Sequence, residues 1–326
     1  MQAEGELDED EELVDAYGTL LTRTAVFRRP GAGYRWVRAA GPARTDGPRA
    51  PSADVLARIR ALPGPELRFV LPEQHGRELH FLADGAESLA NVLMTRPPKT
   101  AYPMACGLLR ALAHSLDRLH SLPATGLVRD RHSGILRLSQ WLSRGTGRSW
   151  ADNQDDGEAD PLFPAARKRL GTARLERLEE WCLLFLADCA DPVLLHGKPG
   201  TGLVVPPTGD GTAVLLLGED MASGPPCLDI GWALGELAEL RGVIHARYGA
   251  DEAARWSTLG RAFVEGFGRS LPAEVGMVAT LGILTHARDF CAYVRWDEDW
   301  VSVLLDVVAV EVDRSGQGNL LWGGQP

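Results

Sequence analysis

The residues between Val193 and Pro207, VLLHGKPGTGLVVPP, place a histidine, a lysine, a threonine and three glycines between two apolar runs. This composition is typical of a loop that cradles phosphate. Such a loop, however, needs a lysine after its second glycine and then a serine or threonine that opens a helix. Here Lys198 precedes Pro199, and Gly202 leads into an apolar, strand-like run. The order of the residues therefore excludes a phosphate-binding loop.

Acidic side chains follow this segment at positions where they could do chemistry. Glu219 and Asp220 come directly after the apolar run TAVLLLG, so they are candidates for binding a ligand or a metal ion. Asp229 precedes the pattern IGWALGELAEL, where an aspartate would serve as a helix N-cap. Residues 152–163 have the acidic spacing of a calcium loop, but Phe163 stands where the bidentate glutamate belongs, so no metal site is predicted.

The longer segment PVLLHGKPGTGLVVPPTGDGTAVLLLGEDMASGPPCLDIGWALGEL resembles the C-terminal lobe of the aminoglycoside phosphotransferases, small-molecule kinases with the protein-kinase fold. His196 and Gly197 match the family's catalytic loop, Gly202 matches the glycine before its asparagine, and Asp229 matches a later helix-start aspartate. LHFLADGAESLANVL resembles the hinge, and LLRALAHSLDRLHSLP resembles a family helix that ends at His120. The resemblance implies an α+β, two-lobed, protein-kinase-like fold with a small β-rich N-lobe and a larger, mainly helical C-lobe.

The departures from this family fall on its catalytic groups. The catalytic aspartate, the magnesium-binding asparagine and the metal-binding aspartate of the next strand align with Lys198, Leu203 and Leu217. Magnesium prefers hard oxygen ligands, which leucine cannot offer, and a protonated lysine cannot accept a proton from a hydroxyl nucleophile. The resemblance therefore implies a degenerate, pseudokinase-like member with no assignable catalytic residue.

The lysine that contacts ATP phosphate in the family also has no counterpart, because no lysine precedes Lys99. Arg35 or Arg38 could stand in its place, although a guanidinium group is bulkier and presents a different donor geometry. The helix predicted after them offers Asp54 but no glutamate as an ion-pair partner.

The pattern along the chain predicts the elements that must position these residues. Strands are expected at RTAVFRR, YRWVRAA, ELRFVLPEQ and RELHFLADG, with one helix, SADVLARIRAL, capped by Ser52. Residues 20–88 then form the N-lobe and hinge, the hinge lying at 83–88. Residues 89–326 form the helical C-lobe, with a polar insertion at 124–165 that contains a short helix near 136–142.

Residues 1–19 form an acidic N-terminal segment, in which residues 4–12 hold seven acidic side chains. This run favours a solvated tail or a first helical turn, and the alternative is a contact for a basic partner. It lacks the basic start and apolar core of a signal peptide.

Composition narrows the classes of function. The formal net charge is −10, from 34 basic and 44 acidic side chains, which argues against nucleic acid or an anionic membrane as a partner. No run of about 18 apolar residues predicts a membrane span. The five cysteines include no CxxC pair, which favours buried thiols in a reducing cytoplasm.

Structural rather than chemical roles are expected for several of the matched residues. Asp229, His196 and His120 are expected to organise structure, and Asp229 would brace the loop that contains His196. Lys198 is either a tolerated surface lysine or an anion-binding group for phosphate, carboxylate or an acidic peptide. The candidates for contacting a ligand in the cleft are Arg35, Arg38, His196, Lys198, Glu219 and Asp220.

Three hypotheses of function follow. The first is a catalytically degenerate protein that needs no cofactor and binds a peptide or partner protein, for which the biosynthesis of ribosomally made peptide natural products is one setting. The second is an active phosphotransferase that uses ATP and magnesium, with Glu219 or Asp220 replacing the missing metal ligand. The third is a helical binding protein unrelated to kinases.

Overall fold

The computed structural model describes residues 11–31, 33–62, 67–128, 130–144, 161–209 and 211–318. The chain divides into two compact units, with boundaries at Ser115/Leu116, Gly200/Thr201 and Glu219/Asp220. The segment after Gly200 belongs to the first unit, in which the Ala90 amide donates to the Thr201 carbonyl at 3.1 Å.

The first unit is rich in β-structure. A five-stranded antiparallel sheet has the order β1-β2-β3-β6-β5, formed by β1 (Glu12–Gly18), β2 (Thr22–Arg28), β3 (Tyr34–Ala40), β5 (Glu73–His75) and β6 (Glu78–Ala83). A smaller sheet consists of β4 (Arg68–Val70), β8 (Val204–Val205) and β9 (Val214–Leu216). Its helices are α1 (Ala53–Arg60), α2 (Leu89–Thr95) and the first part of α3 (Pro98–Leu119).

Alternation along the strands gives the larger sheet two different faces, because successive side chains point to opposite sides. Trp36 lies opposite Phe81 on β6 and packs in a core with Val26 and with Leu216 of β9. Its indole Nε1 donates to the Gly85 carbonyl at 2.9 Å, which satisfies the one polar atom of this buried ring. The face that carries Trp36 also carries Arg38, two residues further along β3.

The second unit is mainly helical. Besides the end of α3, it contains α4 (Ser133–Arg144), α5 (Leu162–Leu170), α6 (Thr172–Leu186), α7 (Cys227–Tyr248), α8 (Ala250–Glu265), α9 (Glu274–Tyr293) and α10 (Glu298–Asp313). Two short strands, β7 (Val193–Leu195) and β10 (Ala222–Gly224), pair antiparallel. Helices α7 and α9 approach closely, since a Cβ at Gly231 would lie 2.5 Å from the Cβ of Val278. This contact fixes the start of α7, where Asp229 lies.

The predicted fold class is confirmed, and the strands and helices lie close to their predicted positions. A β-rich unit and a mainly helical unit are both present, and Ser52 caps α1 by accepting from the Val55 amide. The five-stranded sheet rules out the unrelated helical binding protein.

The short helix expected near 136–142 is part of α4, whose Ile135, Leu138 and Trp141 are buried in the second unit. The sequence pattern did not predict strand β1 at residues 12–18. The single helix expected at 166–190 was wrong, because the segment forms two helices that are broken at Gly171, where φ is +75°. Residues 1–10 and 145–160 lie outside the described residues, and with them most of the rejected calcium loop.

Other expectations concern the membrane and the thiols. Within the described part of the chain, no helix has the length and apolar character needed to cross a membrane. All five cysteines are free thiols, and Cys182 and Cys227 are buried.

Candidate functional site

Asp229 is the centre of a hydrogen-bonded group in the second unit. Its carboxylate accepts from the backbone amides of His196 and Gly197, at 2.7 and 2.8 Å, and contacts Nε2 of His120 at 2.9 Å. Asp229 has no exposed surface, and burial favours its neutral form. The hydrogen bond and charge of His120 outweigh this, so the pKa of Asp229 lies below its ordinary value.

The expected N-cap role of Asp229 was wrong, because α7 begins at Cys227 and Asp229 lies in its first turn. The carboxylate instead binds the loop that follows β7. Its negative charge also interacts favourably with the positive end of the helix dipole at the N-terminus of α7. His120 follows the last residue of α3 and is 8% exposed, so the hydrogen bond ties the end of α3 to the same carboxylate. His196 is 2% exposed, and its Nδ1 lies 3.4 Å from the Lys198 amide.

Lys198 points to Asp220, in the same unit. The Lys198 ammonium lies 2.7 Å from Oδ1 of Asp220, and each side chain is 21% exposed. The Ser133 hydroxyl donates to the same oxygen at 3.3 Å. Burial lowers the pKa of Lys198, and the charge of Asp220 opposes this effect. The two residues are therefore an ion pair that occupies the position aligned with the family's catalytic aspartate.

Close backbone packing fixes the loop that presents Lys198. Gly197 has φ +93°, and a Cβ built there would lie 1.8 Å from the Asp220 carbonyl oxygen. Only glycine combines this left-handed conformation with the close approach. The loop and Asp220 are thus held together by backbone contact as well as by the ion pair.

Sequence reasoning missed a second group of buried charges beside the ion pair. Arg137 of α4 donates to Asp289 of α9 at 2.7 Å, and Arg288 donates to the other oxygen of Asp289 at 2.6 Å. His132 is 1% exposed and packs on the Trp232 ring with a centroid distance of 4.7 Å. Burial lowers the pKa of His132 to about 4. No periodic or motif signal joins Arg137 to Asp289 or His132 to Trp232, since each of these two contacts links residues distant in sequence.

The first unit holds a separate ionic group. Glu219 lies 2.8 Å from Nε of Arg38 and 3.3 Å from Nη1 of Arg44. The Glu219 side chain is 7% exposed, so two guanidinium groups cover it almost completely. Of the two candidate arginines on β3, Arg38 thus lies on the core face of the sheet, and its acidic partner comes after β9 rather than from helix α1.

Arg35 lies on the opposite face of β3, because it is an odd number of residues from Arg38. Its Nε donates to both carboxylate oxygens of Glu11, at 3.1 and 3.0 Å, and its guanidinium lies over the Phe27 ring. The hydrogen bond and charge of Arg35 lower the pKa of Glu11 although burial opposes them. The structure therefore does not bring Arg35 together with Arg38 and Glu219.

The two leucines at the aligned metal positions are packed in the first unit. Leu217 is 1% exposed, and Leu203 packs against the core that contains Trp36 and Leu216. Among the described residues, no group of three or more histidine, cysteine or carboxylate side chains is placed to hold a metal ion. Hydrocarbon at these two positions supplies no oxygen to magnesium, and the residues present do not fit a nucleotide-bound metal.

No protein-family model and no curated protein matches the sequence. Solved structures do match. Spectinomycin phosphotransferase, solved with ADP and spectinomycin, has a TM-score of 0.50 at 10% identity, covering 93% of each chain. Plasmodium vivax ethanolamine kinase has a TM-score of 0.48 at 13% identity, covering 96% of this chain and 85% of its own. An aminoglycoside-3'-phosphotransferase of type VIII has a TM-score of 0.41 at 18% identity, covering 91% of this chain and 93% of its own.

The similarity to spectinomycin phosphotransferase confirms the fold inferred from the sequence. The chain has the kinase-like fold of the aminoglycoside phosphotransferases. At 10% identity the comparison shows the fold alone.

Proposed function

We propose that this chain is a catalytically inactive protein of kinase-like fold that binds a peptide or a partner protein. The observation that carries the proposal is the ion pair of Lys198 with Asp220 at the position aligned with the catalytic aspartate. An ammonium group there holds a proton and a positive charge, where phosphoryl transfer needs a group that accepts a proton from the attacking hydroxyl.

The same ion pair is unfavourable for a metal ion. A divalent cation at Asp220 would have to displace the Lys198 ammonium at 2.7 Å or lie beside it, and like charges at that distance repel. Leu203 and Leu217 supply no compensating ligand. Since phosphoryl transfer depends on a metal to neutralise phosphate charge, these three substitutions act against the same step.

The proposal of binding rests on the defined conformation of the loop after β7. The hydrogen bonds of Asp229 hold the loop after β7 in a defined conformation although its side chains lack the catalytic types. A stable kinase-like fold without phosphotransfer chemistry retains a large surface, and binding is the activity open to such a surface.

An active phosphotransferase is the second candidate. It is favoured by the ionic group of Arg38 and Glu219, which places a cation on the core face of β3, and by the ADP bound to spectinomycin phosphotransferase. In this case ATP and magnesium would be its cofactors. Glu219, however, would first have to give up two arginine partners.

Isothermal titration with ATP, with and without magnesium, separates the two candidates. The inactive protein should give no magnesium-dependent heat, and no phosphate should be released from ATP over hours. Magnesium-dependent micromolar binding that is weakened by Asp220→Ala, and unaffected by Asp117→Ala on the surface, would refute the proposal and support the phosphotransferase.

Lys198→Asp tests the ion pair itself, with Lys168→Asp, an exposed lysine in α5, as the matched control. Removing the ammonium leaves two carboxylates at the site, so Lys198→Asp should gain a thermal shift with magnesium that neither the wild type nor Lys168→Asp shows. An equal response of all three proteins would mean that Lys198 does not exclude the metal.

A further inference from the structure

The edge strand β1 is open to a further strand. It forms one end of the five-stranded sheet, it is seven residues long, and all seven are exposed. Among the described residues, no strand pairs with its outer side. An edge of this kind presents unpaired backbone N–H and C=O groups, which can bind another extended segment.

The other edge of the sheet is short and contacts the segment at 48–50 through a side chain. Strand β5 is only three residues long. The side chain of its middle residue, Gln74, accepts from the Ala50 amide at 2.8 Å and donates to the carbonyls of Pro48, Gly76 and Glu78. This difference between the edges makes β1 the one long edge available for pairing in the described part of the sheet.

The pairing of β1 with β2 limits where a segment could add. The register shifts between Leu13 and Asp15, which marks an irregularity at Val14. From Asp15 to Gly18 the register is regular, with Ala16 opposite Ala25 and Tyr17 opposite Thr24. A regular partner strand is therefore expected alongside Asp15–Gly18.

A shallow groove of about 370 Å³ adjoins this half of β1. By strand register, one face of the sheet carries the small side chains that line it, Ala16, Gly18, Ala25, Val37 and Ala39. Two charged residues of opposite sign, Glu78 and Arg23, line the same groove. An apolar side chain of an added strand, or the stem of a long basic one, could pack on this floor because strands alternate their side chains.

Charge selects the partner. Glu11 and Glu12 are paired with arginines, but Asp15 has no cation within ion-pair distance among the described residues. In the sequence, residues 4–12, which lead into β1, hold seven acidic side chains.

From these observations we propose that an extended, positively charged peptide segment pairs with β1 as a sixth strand along Asp15–Gly18. An apolar side chain of the peptide lies in the groove next to Ala16, and its basic side chains lie near Asp15. The inference rests on the proposed peptide-binding function and specifies the partner and the mode of binding.

Binding of a short synthetic peptide that alternates arginine and valine tests the proposal on the full chain. The matched probe carries N-methyl groups on the backbone nitrogens of one edge, which keep its charge but remove its pairing donors. The methylated peptide should bind at least tenfold more weakly, because it cannot donate backbone hydrogen bonds to β1. Amide hydrogen exchange should slow at alternate residues of Asp15–Gly18, those whose N–H groups point away from β2, only with the unmethylated peptide.

Two variants with the same charge change locate the site. Asp15→Arg should weaken binding of the unmethylated peptide about fivefold. The substitution replaces an attractive cross-strand charge pair with a repulsive one. Glu180→Arg, at an exposed position on α6, should leave the affinity unchanged. Equal binding of both peptides, equal effects of both variants, absence of binding, or self-association that protects β1 would each overturn the proposal.

The outcome is separable from that of the proposed function. Loss of peptide binding without magnesium-dependent ATP binding would remove the strand-addition proposal and leave the inactive kinase-like protein standing. Protection of β1 by the peptide together with ATP turnover would support strand addition and refute the proposal that the protein is inactive.

Discussion

Removing the charge of Asp229 is the perturbation whose effect the structure defines best. Asp229→Asn keeps the volume of the side chain but leaves one acceptor oxygen for three donors at 2.7, 2.8 and 2.9 Å. Its amide NH₂ must then face one of the two backbone N–H groups, and a buried donor remains unpaired. Breaking a buried charged pair costs about 3–5 kcal/mol, so the free energy of unfolding should fall by about that amount.

Urea denaturation at neutral pH measures this loss, with Asp117→Asn as the control. Asp117 also bonds an arginine, Arg269, at 2.8 Å, but both side chains are about half exposed, so its loss should stay within about 0.5 kcal/mol. A loss below about 1 kcal/mol for Asp229→Asn would refute the view that this carboxylate holds the loop.

The pH dependence gives an independent check with a definite sign. The folded-state pKa of Asp229 lies below its ordinary value of 3.8, so its contribution is present above that value and is lost as the pH falls through the lowered pKa. The difference in stability between the wild type and Asp229→Asn should therefore be constant from pH 5 upward and shrink only at strongly acidic pH. A difference that already shrinks between pH 7 and 5 would contradict the assignment.

Two further predictions concern the same unit. Gly197→Ala should lower the free energy of unfolding by about 3 kcal/mol or more, because it adds backbone strain and a clash with the Asp220 carbonyl. Gly126→Ala, with φ +78° and open space around it, should cost only about 1 kcal/mol, and equal losses by urea denaturation would rule out the clash. For His132, the folded-state pKa of about 4 lies below the ordinary 6.5, so about 3 kcal/mol of stability should be lost between pH 6.5 and 4. His132→Phe should remove that part of the pH dependence in urea titrations, and an unchanged pH profile would mean that the ring takes up its proton without cost.

Local patterns in the sequence were enough to predict most of the elements. Alternation predicted β2, β3 and β6, and three-and-four spacing of apolar residues predicted α3 and the helices from α7 to α10. Strand β1 was missed because its sequence, ELVDAYG, has little apolar alternation and all of its residues are exposed. An edge strand of this kind is stabilised by backbone pairing with β2, which leaves no signal in side-chain hydrophobicity.

The candidate site was predictable only in part, for a related reason. The motif resemblance identified Asp229, His120 and His196. In the structure the carboxylate of Asp229 contacts the His120 ring and the His196 amide. The partner of Lys198 could not be read from the sequence, since the ion pair joins residues 22 positions apart across two short strands. Arg38 could not be distinguished from Arg35 until the register of β3 showed which of them lies on the core face.

The hydrogen bonds of Asp229 also explain how the loop after β7 can keep its conformation with unusual side chains. Two of the three donors are backbone amides, which every residue except proline supplies. The contacts that Asp229 makes with the loop, and the glycine at 197, do not require a particular side chain at 198. A lysine at 198 needs only a nearby carboxylate to be accommodated, and Asp220 provides it at 2.7 Å. The fold and the chemistry of this region are thus set by different residues, so the kinase-like fold by itself does not imply phosphoryl transfer by this chain.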